Sequence, residues 1–250
     1  MRILANNSSN GNCQGGFTLV EMAVVLLIAT ILMAGLVPTI SSQIDQRQIN
    51  ETRKQLNDIQ QALIGFAIIN ERLPCPASAL TNGQEDPPLV TGICNHPNDG
   101  FVPAVALGLG PVNSQGLVVD AWNNPIRYAV TSSYPSNTFS FTTQGGMKTI
   151  WSSAINLDLQ VCTTNPNSPT NCAPNTSLSS NGVPLVIFST GKDGLSGAVN
   201  PDENANLHTG SSANNKTYVS HDFTPTYDDL VVWVSPNTLF NRMVAAGKLP

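Results

Sequence analysis

Between Met22 and Ile44 the chain carries no charged side chain. Read as helix at about 1.5 Å per residue, Phe17 to Val37 reaches about 31 Å, the thickness of a hydrocarbon core. A membrane span over about 17–40 is therefore expected, with the rest of the chain committed to one side of the bilayer. What precedes the run differs from a secretory signal. Met1 to Gly16 is polar, holds Arg2 as its one charged residue, and ends in Gly15-Gly16 directly before the apolar stretch. An ordinary signal places its small-residue cut site after that stretch. A carboxylate at Glu21 near the start of the run is costly unless paired, so it marks a functional position.

The string Gly15-Gly16-Phe17-Thr18-Leu19-Val20-Glu21 resembles the class III signal of type IV pilins and type II secretion pseudopilins. The resemblance implies cleavage by a prepilin peptidase after Gly16, methylation of the new N-terminal Phe17, and Glu21 as the fifth residue of the mature chain. It implies that Glu21 pairs with the Phe17 ammonium of a neighbouring subunit. Pro38 falls where many members carry a helix-kinking proline. The implied partners are other pilin or pseudopilin subunits, the peptidase and an inner-membrane assembly platform. The implied location is the bacterial inner membrane, crossed once with the C-terminal domain in the periplasm, and later a filament in the periplasm or at the cell surface. Without the glycines, Glu21 reads as a carboxylate snorkelling to the headgroups. Arg47, Arg53 and Lys54 follow the span and point to the opposite topology; the leader and the cysteines carry the orientation.

Apolar residues return at helical period at Ile49, Leu56, Ile59, Leu63, Phe66 and Ala67, until Leu73-Pro74-Cys75-Pro76 stops the pattern. The expected organisation is a leader, 1–16, a long helix, 17–72, and a β-rich globular domain, 73–250. The class is α+β, with the amphipathic half of the helix packed against one antiparallel sheet. Strand-like runs lie at Leu117–Val119, Ile126–Thr131, Thr138–Thr142, Leu185–Thr190 and Leu230–Val234. Ser235-Pro236 opens a short C-terminal helix. Beyond the leader's Cys13, four cysteines in loop contexts predict disulfides in an oxidising compartment. Three connectivities are open, and pairing of sequence neighbours gives Cys75–Cys94 and Cys162–Cys172.

The string Asp120-Ala-Trp-Asn-Asn-Pro125 is similar to the hairpin signature of the major pseudopilin, with Asn123 in place of a glycine. Ser189-Thr-Gly-Lys-Asp-Gly194 and Tyr227-Asp-Asp-Leu-Val-Val-Trp233 resemble that family's closing loop and last strand. The resemblance implies Ca²⁺ held by Asp193 and Asp229, hard oxygen ligands of the kind this ion takes. The segment from Leu195 to Thr226 is longer than the family's loop and adds Asp202, Glu203 and Asp222. A formal net charge of -5 and 11% charged residues give no basic footprint for nucleic acid. No nucleophile elbow, phosphate loop or His-Glu-x-x-His is present, so catalysis is not expected. The functional expectation is a filament subunit of minor or specialised type. A pilus-borne adhesin or tip subunit is the alternative, and loops 81–100 and 165–182 would present its surface.

Overall fold

Helix α1 runs from Leu19 to Asn70. The computed structural model describes residues 16–87, 92–132, 139–152, 155–165, 168, 170–196, 200–207 and 215–250, with 34–41 described by backbone alone. Residues 1–15 of the expected leader 1–16 thus lie outside the described residues, and Pro38 is placed only as part of the helical backbone. Two compact units divide between Arg47 and Gln48, within α1. In the first unit Leu19, Val20, Leu26, Leu27, Ile31, Leu32 and Met33 are all more than half exposed. Among the described residues no helix is long and apolar enough to cross a membrane.

The second unit is built on the remainder of α1. Ile49, Thr52, Leu56, Ile59, Leu63 and Ala67 are buried along one face of the helix, with spacings of three and four that keep successive side chains in register. Glutamines on its flanks tie it down by side-chain amide bonds. Gln48 Nε2 donates to the Ala121 carbonyl (3.3 Å), Gln55 Nε2 to Val119 (2.8 Å) and Gln60 Nε2 to Trp233 (3.0 Å). The helix ends where Glu71 takes a φ of 57°, a left-handed turn that stops helical propagation. Lys148 and Lys248 lie 2.8 and 3.8 Å from the Glu71 carboxylate. The hydrogen bond from Lys148, ahead of its charge, holds that carboxyl below its ordinary range. Arg72 then pairs with Glu85 at 2.7 Å, securing the loop that the Cys75–Cys94 disulfide closes.

The main sheet has the order β1 (Gly100–Phe101), β2 (Arg127–Val130), β4 (Leu185–Ser189), β6 (Leu230–Val234), all antiparallel. Its register places Tyr128, Ile187 and Val232 side by side, then Ala129, Val186 and Trp233 on the next rung. Because strand side chains alternate between faces, the first rung joins the α1 core and the second faces a separate cluster with Leu159, Val161, Val183 and Tyr218. That second cluster lies under β3 (Gln160–Cys162) and β5 (Thr217–Val219), which pair in parallel. The sheet is therefore covered on both faces, and β4 is buried at all five residues, as its unbroken apolar run requires.

Short helices α2 (Ala104–Leu107), α3 (Gly146–Ile150) and α4 (Pro201–Asn206) occupy the connections, and α5 (Pro236–Ala245) closes the chain. Ser235 caps α5, its Oγ accepting from Thr238 N at 3.1 Å, and Leu239, Phe240 and Met243 bury one face. Two expected strands, Leu117–Val119 and Thr138–Thr142, are not formed among the described residues, outside which Thr138 lies. Val119 makes only an isolated bridge to Pro125. Phe139, at a φ of 50°, opens a turn whose carbonyl accepts from Thr142 and Thr143. That turn sends Phe141 into the core, stacked on Phe240 at 5.9 Å.

Candidate functional site

At the head of α1 the sequence makes a reciprocal cap. Thr18 Oγ1 accepts from Glu21 N at 3.2 Å, while Glu21 Oε2 accepts from Thr18 N at 3.1 Å and from Thr18 Oγ1 at 3.1 Å. This is a capping box: threonine before the first helical residue, glutamate three later, each satisfying a backbone N–H that the helix leaves open. Sequence reading assigned Glu21 to a neighbouring subunit and missed this local role, although Thr-x-x-Glu is itself the signal. Gly16 is exposed with open space around it, and Phe17 is 83% exposed. The residues on both sides of the expected cut are thus accessible.

A second constellation joins three parts of the chain. The Asp120 carboxylate accepts from Trp122 N (2.9 Å) and Asn124 N (2.8 Å) on one oxygen and from Ser189 Oγ (2.5 Å) on the other. Ser189 Oγ accepts in turn from Gly191 N at 3.1 Å, and Asn124 Nδ2 donates to the Gly191 carbonyl at 2.7 Å. The 120–125 hairpin therefore holds the 189–194 turn in place. Burial, ahead of the charge of Asp228, pushes the Asp120 carboxyl up; the bonds from Ser189, Asn124 and Trp122 oppose the shift. Trp122 is half-buried and Tyr128 fully buried, its hydroxyl donating to the Pro74 carbonyl at 3.1 Å, so both pack as structural residues.

Beyond the turn, carboxylate oxygens of Asp193, Glu203 and Asp228 come within 4.8 Å of one another. Asp193 stands on the turn after β4, and Glu203 on α4, whose start is capped by Asn200 accepting from Asp202 N at 2.9 Å. Asp228 lies two residues before β6. One Asp228 oxygen accepts from Lys192 N (2.7 Å) and Asp193 N (3.2 Å); the other is buried with no hydrogen-bond partner. Glu203 Oε1 accepts from Asp228 N at 2.9 Å. Burial first, then the neighbouring carboxylates, pushes both Asp193 and Glu203 above the ordinary carboxylate range. Gly191, at a φ of 63°, passes so close that an added Cβ would lie 2.1 Å from the free Asp228 oxygen.

The residue set fits a hard divalent cation: three convergent carboxylates with a buried oxygen left unsatisfied is an arrangement that a cation relieves. Asp229, named from sequence, is not among them. Its Oδ2 accepts from Asn206 Nδ2 at 2.7 Å, and burial pushes its carboxyl up to about 8. Its neighbour Asp228 stands in the cluster instead. Glu203 is one of the three acids that the long segment adds as candidates to replace or dilute the pair Asp193 and Asp229; nothing in the sequence shows that α4 returns it, and not Asp202 or Asp222, to the turn.

The disulfides join Cys75 to Cys94 and Cys162 to Cys172. Each closes a loop beside the main sheet or the β3–β5 pair.

Residues 11–37 match the family of the prokaryotic N-terminal methylation motif. The chain is 30% identical over 115 residues to the type II secretion system core protein G of Pseudomonas aeruginosa, covering 46% of this chain and 72% of that protein. No solved structure matches. With the capped α1, the helix laid on an antiparallel sheet and these two matches together, the chain belongs to the type IV pilin-like and type II secretion pseudopilin family.

Proposed function

We propose that this pilus or pseudopilus subunit is a minor or specialised member of its filament, stored in the inner membrane and assembled after removal of Met1–Gly16. The observation that carries the reading is the placement of Glu21, five residues after Gly16, at the head of a helix whose large apolar side chains from Leu19 to Met33 are exposed. Such a surface requires lipid or neighbouring helices to cover it. The charge-free run Met22–Ile44 supports a single span, with the disulfide-bearing domain on the periplasmic side. In the filament the Phe17 ammonium of one subunit meets Glu21 of the next, and neighbouring helices replace lipid. Mass spectrometry of the purified chain, made with and without the peptidase, tests the first step. Loss of Met1–Gly16 together with gain of one methyl group on Phe17 is expected; a retained leader in the presence of peptidase would end the proposal.

The similarity to core protein G, together with the 120–125 hairpin, favours a secretion-type lineage. The long segment between β4 and β6, which carries α4, supports a specialised subunit rather than the bulk one. Low copy number beside a shorter major subunit in sheared filaments is the expected result. Ca²⁺ belongs to the same reading. Asp193, Glu203 and Asp228 would hold it, and its charge would fasten α4 and the approach to β6 onto the turn after β4.

A further inference from the structure

Where β6 passes into α5, a cavity of about 270 Å³ opens. Trp151 and Trp233 line it together with Ser180, Asn181, Asn237 and Phe240, and among the described residues of its wall none carries a charge. The indoles are half-buried, whereas Ser180, Asn181 and Asn237 are exposed. Among the described residues the side chains of those three, and the N–H groups of both indoles, make no hydrogen bond. Two aromatic surfaces thus stand beside amide and hydroxyl groups whose donors and acceptors are available.

The walls are held by backbone. Leu157 N donates to the Asn181 carbonyl at 2.9 Å. Gly182, at a φ of 70°, lies where an added Cβ would be 2.4 Å from the Leu157 carbonyl oxygen, so that turn has little room to move. On the other side Ser235 and Asn237 belong to the capped start of α5.

The chemistry of the lining selects a ligand. An ionic ligand would find no counter-charge, and a purely apolar one would strip water from free amides without replacing their hydrogen bonds. A neutral, polyhydroxylated ring satisfies both parts: its C–H face covers indole while its hydroxyls exchange hydrogen bonds with asparagine amides, which both donate and accept. The volume is just below the roughly 300–1,000 Å³ usual for drug-sized ligands, room for one ring. An extended peptide added to β6 is less suited, because the Trp233 carbonyl is already taken by Gln60 Nε2. We infer that this cavity binds the terminal ring of a neutral saccharide. The inference stands on the globular unit and holds whether or not the chain assembles as proposed above.

Tryptophan emission of the full chain, kept in an amine-oxide detergent free of sugar headgroups, is titrated with glucose, galactose, mannose, fucose and N-acetylglucosamine. At least one sugar is expected to give a saturable change that persists in Trp122→Phe. In Asn181→Ala/Asn237→Ala, two exposed positions, binding weakens at least about tenfold, the loss of one or two hydrogen bonds. A flat titration with all five sugars, or an unaltered response in the double variant, overturns the inference. So does a saturable response to decaproline and to none of the sugars, which would assign the cavity to a peptide.

Discussion

Asp120 is 5% exposed, and its carboxylate accepts from Trp122 and Asn124 of the hairpin and from Ser189 at the end of β4. Asparagine at this position keeps an oxygen for Trp122 N and Asn124 N, while alanine leaves both half-buried donors unpaired. Asp120→Ala is therefore expected to cost roughly 2–4 kcal/mol in urea unfolding and Asp120→Asn less than about 1 kcal/mol. The two also differ from the native chain in pH dependence. Burial raises the folded-state pKa of Asp120 above its unfolded value, so the folded chain holds this proton more tightly. The stability this contributes is present at low pH and is lost as pH rises from the unfolded value through the raised one. Asp120→Asn should remove that component of the decline, seen as a flatter profile of unfolding midpoint above about pH 4.

Among the elements, those with long-range periodicity were legible in the sequence. The amphipathic half of α1 repeats its apolar face over several turns, and Leu63 is fully buried there. Leu63→Ala is expected to cost about 3–4 kcal/mol in denaturant unfolding, with an unchanged cost if Ile69, which is 75% exposed, is replaced as well. Strands β2, β4 and β6 were legible from β-branched runs, and α5 from Ser235-Pro236. What escaped were elements set by partners distant in sequence. Gln160–Cys162 and Thr217–Val219 are three residues each and make a parallel pair across the intervening insertion; neither run is long enough to show a period. Thr138–Thr142 has strand composition, but its described residues, from Phe139 on, fold into a turn that buries Phe141. The acidic site was half legible for a related reason: Gly-Lys-Asp-Gly announces its turn, whereas Asp228 over Asp229 depends on how the lead into β6 meets that turn, and Glu203 on where α4 returns.

At the scale of the whole globular unit, the acidic cluster connects the turn after β4, α4 and the lead into β6, so cation binding should be read as stability. Ca²⁺ at about a hundred times its dissociation constant would add about 2.7 kcal/mol. Asp193→Asn and Asp228→Asn are expected to lose the calcium-induced rise in Tm, while Asp229→Asn keeps it because that carboxylate faces Asn206. A rise that survives in Asp228→Asn would place the ion elsewhere.

At the head of α1, Glu21 has a local role in the cap and a proposed role between subunits of the filament. Glutamine at position 21 separates them, since it also closes a capping box but carries no charge; Thr18→Ala breaks the cap and leaves the charge. The decisive measurement is the amount of Glu21→Gln chain in sheared filaments, normalised to its abundance in the membrane, beside native chain and Thr18→Ala. Pairing with the Phe17 ammonium predicts a loss of at least about tenfold for Glu21→Gln, the equivalent of about 1.4 kcal/mol, and near-native incorporation for Thr18→Ala. Native incorporation of Glu21→Gln would contradict it.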